Sequence, residues 1–201
     1  MKTSSEILEF IKTNKLYAAG VKLHKASPGI IDYLATQIKD NENVSYAFLC
    51  DAVECDGKEI TMGETGVIIT NKKIIYGRPK SGFLSQAVLK MTDVTDLDDV
   101  TYKDKEFGVL SGTYKVVIDA TRELIGFVFC NCKENKTLAE KLTSDLSDIL
   151  DEIKEKNKSS LQTVIQQRSA ADEILKYKSL LDADIITKEE FEKKKKELLG
   201  L

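Results

Sequence analysis

The sequence predicts an α+β protein: an antiparallel β region preceded by N-terminal helices and followed by one amphipathic helix and a C-terminal helical hairpin. Three observations predict it. The stretch Val44–Phe129 holds nearly all the β-branched and aromatic residues and is cut at short intervals by turn signals. From about Asn135, apolar residues recur instead at helical spacing. Near the end, Thr187 and Glu190 stand in the Thr-x-x-Glu register that starts a helix.

Within the β region the clearest unit is Gly66-Val67-Ile68-Ile69-Thr70-Asn71-Lys72-Lys73-Ile74-Ile75-Tyr76-Gly77, two β-branched runs around a polar turn. That is the pattern of a hairpin. A second pair, Tyr114–Asp119 and Leu124–Phe129, surrounds the turn Ala120-Thr121-Arg122-Glu123. The first long strand runs over about Val44–Cys55 and ends at an Asp56-Gly57 turn signal. With Met91-Thr92-Asp93-Val94-Thr95 and the helix that follows, residues 40–155 resemble the bacterial pleckstrin-homology-like (PH/GRAM-like) domains. The resemblance implies an antiparallel barrel plugged at one end by its C-terminal helix, and it brings no catalytic residues.

The flanking elements follow from local signals. Ser4 or Ser5 is the expected cap of a first helix carrying Ile7, Leu8, Phe10 and Ile11, and residues 1–27 as a whole read as helical but weakly patterned. Ser27-Pro28 is a stronger start, an N-cap followed by Pro at the first helical position. Ile30, Ile31, Leu34 and Ile38 then give Pro28–Lys39 an apolar stripe suited to packing on the barrel. After the β region, Leu138, Leu142, Leu146, Ile149 and Ile153 line one face of a helix over about Asn135–Lys156. The polar stretch after it reads as a linker or frayed helix end. The expected division is 1–39 helical, 40–156 barrel, 157–169 linker and 170–201 hairpin.

In the last segment, Ile174, Leu175, Leu180 and Leu181 mark a short helix, and Lys188–Leu199 a second one. Ile186 before the cap and Phe191 beyond it form a hydrophobic staple around the Thr187–Glu190 capping box. Residues 170–201 resemble the SHOCT domain, a short bacterial helical module, through Leu180-Leu181-Asp182-Ala183-Asp184-Ile185-Ile186-Thr187, Glu189-Glu190-Phe191 and Lys195 to Gly200. Asp184 departs from the Gly usual in that pattern. The resemblance implies oligomerisation. Physical reasoning agrees, because about 30 residues cannot enclose a self-sufficient core. Leu175, Leu180, Leu181, Ile186, Phe191 and Leu198 must therefore be covered by something: the barrel, a second copy or another protein.

Composition narrows the function. The chain has 201 residues, 42% of them apolar and 31% charged, as in a globular protein. A net charge of −3 argues against bulk attraction to nucleic acid or an anionic bilayer, leaving a local basic patch open. No apolar run is long enough to span a membrane, and Met1–Glu6 lack the features of a signal peptide, so a cytoplasmic location is expected. Cys50, Cys55, Cys130 and Cys132 have neither zinc spacing nor an oxidising setting, and read as small buried thiols. His24 is the sole histidine, so no metal pair and no catalytic triad is visible. No cofactor, metal, catalytic group or small-molecule substrate is indicated.

Two binding surfaces remain. Lys72, Lys73, Arg78 and Lys80 form a basic cluster around the first hairpin, suited to phosphate or an acidic partner, or serving as a solvated rim that discourages strand pairing. Asp51, Glu54, Asp56, Glu59 and Glu64 crowd the neighbourhood where PH domains grip inositol phosphates, against a single Lys58. The expected function is a non-enzymatic bacterial binding or scaffold protein that docks a protein or peptide and associates through its hairpin. The alternative is a peripheral lipid or nucleic-acid binder using the basic cluster and Lys193–Lys196. Glu192 and Lys196 are spaced to pair on the helix surface.

Overall fold

Strands form where the β-branched runs lie. The computed structural model describes residues 3–21, 23, 27–80, 86–106, 112–183 and 185–200, without the side chains of 105–106 and 157–171. The chain divides into two compact units, Met1–Lys154 and Glu155–Leu201.

Among the described residues the first unit contains seven antiparallel strands: β1 (Val44–Cys55), β2 (Lys58–Thr70), β3 (Lys73–Arg78), β4 (Val88–Asp93), β5 (Leu97–Glu106), β6 (Thr113–Ala120) and β7 (Glu123–Cys130). Their order in the sheet is β4-β3-β2-β1-β7-β6-β5. In a flat sheet β4 and β7 would lie about 19 Å apart, at roughly 4.8 Å per strand. Here Lys90 of β4 reaches Glu123 of β7 at 3.9 Å. Tyr76 of β3 meets Phe127 of β7 edge to face at 6.0 Å, and Phe48 of β1 meets the same ring at 5.1 Å. The sheet therefore curls around an aromatic centre.

The expected antiparallel barrel is present as a curled half-barrel. β4 and β5 end the strand order, and no ladder joins them among the described residues. The 3-10 turn Val94–Asp96 lies between them, and its backbone is committed elsewhere. Val94 donates its N–H to the Lys72 carbonyl, and the Asp96 carbonyl accepts from Thr121, both at 2.8 Å. These bonds go to two hairpin turns rather than to a neighbouring strand. With these seven antiparallel strands and a helix after them, the body is an α+β half-barrel.

The turns obey their residues. Asp56 and Gly57 have φ of 51° and 73°, the two left-handed positions of a type I′ hairpin. At the β2–β3 turn, Thr70 Oγ1 accepts the N–H groups of Lys72 and Lys73 at 3.1 and 3.0 Å.

The N-terminal segment packs on this sheet in a way its sequence did not announce. Helix α1 (Ser4–Thr13) is capped by Thr3, not by Ser4 or Ser5. Thr3 Oγ1 accepts from the Glu6 N–H, and the Glu6 carboxylate accepts from the Thr3 N–H. Ile7 and Ile11 are fully buried. The chain is not helical through 27: Lys15 turns left-handed at φ 55°, and Tyr17 forms a parallel bridge with Leu49. Ala18 donates to the Leu49 carbonyl, and Leu49 donates to the Leu16 carbonyl, each at 2.9 Å. The cause is an open edge. β1 pairs with β7 over Ala52–Cys55, so the first half of β1 needs another partner for its backbone.

Helix α2 (Ser27–Ala35) ends before Lys39, where Gln37 and Ile38 donate to the third preceding carbonyl instead of the fourth. Ser27 is not a cap; its buried hydroxyl donates to the Glu64 carboxylate. α2 lies so close to β2 that a Cβ at Gly66 would sit 2.7 Å from Ile30 and 2.8 Å from Leu34.

Helix α3 (Lys133–Asp182) is longer at both ends than its apolar stripe predicts. Leu138, Leu142, Leu146 and Ile153 are buried in the sheet's core, joined by Ala139 and Leu150, while Ile149 is half-buried. The segment 157–169, expected as a linker, has helical backbone.

In the second unit, α4 (Lys188–Leu199) has the predicted bounds. Thr187 Oγ1 accepts from the Glu190 N–H at 3.3 Å, and the Glu190 carboxylate accepts from the Thr187 N–H at 2.8 Å. Gly200 closes the helix in the left-handed conformation. Asp184 lies outside the described residues.

Candidate binding surfaces

The four basic residues around the first hairpin do not come together. Lys72 and Lys73 stand at one end of β3 and Arg78 at the other, about 16 Å away at the usual strand rise. Lys73 points inward. Its Nζ donates to the Gln37 carbonyl at 2.9 Å and pairs with the buried Glu42 at 3.3 Å. Arg78 donates to the Met62 carbonyl, folding back over its own hairpin. Lys72 and Lys80 are exposed. A turn sequence alone could not show this, because Glu42 precedes Lys73 by 31 residues.

Three of the acidic residues near the first loop are likewise structural. Asp51 accepts from the Cys130 N–H at 2.9 Å, Glu54 pairs with Lys115 at 2.9 Å, and Asp56 caps the Leu124 N–H at 3.0 Å.

A cleft of about 740 Å³ opens elsewhere in this unit, between residues 14–19 and the first turns of α3. Sequence reasoning missed it. Its walls include Lys15, Tyr17, Lys133, Asn135, Leu138 and Lys141. Asn135, 1% exposed, holds the two sides together. Its Oδ1 accepts from the Ala19 N–H at 2.7 Å, while its Nδ2 donates to the Cys130 carbonyl at 2.9 Å. Lys141 Nζ lies 3.4 Å from the Asn14 carbonyl. Lys15 and Lys133 have no ion-pair partner among the described residues, and Glu134 is the one acidic side chain on the wall. The only local signal was the weak patterning of residues 1–27.

In the hairpin, Phe191 is buried, with Lys195 Nζ 6.0 Å from its ring centre. Leu180, Leu181, Ile186 and Leu198 are half-buried, while Leu175 is 64% and Leu199 50% exposed. Thr187 is spent on its cap. The expected Glu192–Lys196 pair is replaced by closer i,i+3 partners, Glu192 with Lys195 at 3.7 Å and Lys194 with Glu197 at 3.0 Å.

The cysteines divide by location. Cys50 and Cys55 are buried, and burial raises both thiols above their ordinary range. Cys130 is exposed and Cys132 half-buried, correcting the expectation of four buried thiols. No group of three or more metal-type side chains stands together among the described residues. His24 lies outside the described residues. Among the described residues, no helix is long and apolar enough to cross a membrane.

Residues 172–199, spanning the last turns of α3 and all of α4, match the model of the SHOCT family, the short C-terminal domain. The hairpin is a SHOCT domain. Among solved structures, the chain is similar to the Vps36 N-terminal PH domain, at 14% identity and a TM-score of 0.38. That match covers 57% of this chain and 86% of the other. No curated protein matches the chain.

Proposed function

We propose that this is a non-enzymatic, cytoplasmic binding or scaffold protein whose half-barrel docks a protein or peptide and whose SHOCT hairpin joins two copies of the chain. The carrying observation is apolar surface left open on a small helical unit. Leu175, Ile185 and Leu199 are 64%, 67% and 50% exposed. Covering one such side chain is worth about 1.5–3 kcal/mol.

Charge order favours a second copy as the cover. The first half of α4 carries Glu189, Glu190 and Glu192 against Lys188 and Lys193, a formal −1, and the second half Lys194, Lys195 and Lys196 against Glu197, a formal +2. Two antiparallel copies set each acidic half against a basic one, the self-complementarity that a twofold interface requires.

Sedimentation of the full chain tests this. A dimer is expected, and Leu175→Asp with Leu199→Asp should reduce it to monomer without loss of helicity, because neither side chain is buried. A monomer at all concentrations, or a dimer indifferent to both changes, would remove the hairpin from the association role.

A further inference from the structure

The cleft beside α3 carries a more specific reading, which rests on the proposed docking role of the half-barrel. In the parallel bridge to β1, the Leu16 carbonyl and the Ala18 N–H face Leu49. Successive backbone groups of an extended chain alternate in direction. The Tyr17 N–H and carbonyl and the Ala19 N–H therefore lie on the opposite edge, toward α3. Asn135 takes the Ala19 N–H. Among the described residues the Tyr17 N–H and carbonyl have no partner. This leaves one donor and one acceptor of a strand edge at the wall of a cleft of about 740 Å³.

Three features then specify what fits. A free strand edge pairs with another extended backbone, as in strand addition. Lys15, Lys133 and Lys141 against Glu134 give the walls a formal excess of two positive charges. Tyr17, half-exposed, and Leu138, buried, add apolar surface between those charges. A bare phosphate would use the lysines and leave the edge and the apolar wall idle. A bilayer headgroup would not reach a backbone held between a strand and a helix.

We propose that this cleft receives an extended acidic peptide segment of a partner protein, its backbone paired with Tyr17, its carboxylates held by Lys15 and Lys133, and an apolar side chain against Tyr17 and Leu138. Lys141 already contacts the Asn14 carbonyl and narrows the cleft rather than anchoring the segment.

The test is fluorescence anisotropy on the full chain with a labelled peptide of alternating Glu and Leu, its Gln-for-Glu counterpart, inorganic phosphate as competitor, and anionic vesicles. The expected result is saturable binding of the acidic peptide. Binding should weaken at least tenfold with Gln for Glu, tenfold or more with Lys15→Glu and Lys133→Glu together, and not at all with Lys72→Glu. Both cleft lysines are exposed, so their replacement leaves the fold intact, which the unchanged thermal transition should verify. Equal loss with Lys72→Glu, displacement by phosphate at equal concentration, or stronger binding to vesicles would each overturn the proposal. Selection from a random peptide library separates the two levels of inference. Binders indifferent to Lys15 and Lys133 would sink the cleft and leave the docking role standing, whereas no binders would sink both.

Discussion

Lys73 and Glu42 sit 3.3 Å apart with side-chain exposures of 11% and 3%. Glu42 Oε2 has no hydrogen-bond partner among the described residues, so the pair depends on its own contact and on the Gln37 carbonyl. Removing one partner of such a pair leaves a buried charge, which costs about 3–5 kcal/mol. Lys73→Met should therefore lower unfolding stability by that order in urea. Lys73→Met combined with Glu42→Leu should recover most of it, since an apolar replacement of both partners is often neutral. A second residue-scale effect concerns alkaline pH. Burial and then the Asp51 charge raise the Cys50 thiol. Burial raises the Cys55 thiol and, followed by their hydrogen-bonded partners Asp145 and Cys55, the hydroxyls of Tyr46 and Tyr76. Above the unfolded thiol value, about 8.5, the unfolded chain has released protons that the folded one keeps. Stability is thus complete below that pH and falls above it, by up to about 1.4 kcal/mol per pH unit for each group. Thermal melts should show decline from about pH 8.5, steeper beyond about 10, where unfolded Tyr ionises. Cys50→Ala should flatten the first part of the slope; an unchanged slope would exclude this thiol as its source.

At the scale of elements, what was legible is what is locally encoded. The bounds of β1, both hairpin turns and α4 follow from residues adjacent in sequence: Asp56-Gly57, Thr70 to Lys73, Thr187 with Glu190. What was not legible is set by distant partners. The bridge of 16–18 onto β1 exists because β7 covers just part of that strand, and Asn135 earns its place from Ala19 and Cys130. The stretch 157–169, read as a linker or frayed helix end, has helical backbone, since a polar run such as Glu155–Ser160 is compatible with helix as well as linker. Two tests belong here. Thr187→Ala should cost about 1 kcal/mol of helix stability, seen as reduced protection of the first-turn amides of α4 in hydrogen exchange. Gly66→Ala should cost about 1–3 kcal/mol by overpacking against Ile30 and Leu34, with α2 the element that loosens. If Gly66→Ala melts like the unaltered chain, the contact between α2 and β2 is softer than its distances state.

For the whole molecule, the division after Lys154 predicts that the two units melt separately. A chain truncated after Lys158 should retain one cooperative transition, monitored by near-ultraviolet circular dichroism, because the buried residues of α3 in the core end at Ile153. Loss of that transition would mean the half-barrel borrows stability from beyond its own boundary. The strand order has a further consequence for the chain as it is made. β1 occupies the centre of the sheet, yet β7, which covers Ala52–Cys55, begins at Glu123. At roughly 5–20 residues per second, the ribosome needs about 3–14 s to supply that strand after completing β1. For those seconds an apolar central strand is out of the tunnel with one edge bare, the state in which a nascent chain is most open to chaperone capture and to pairing with its neighbour on the same polysome.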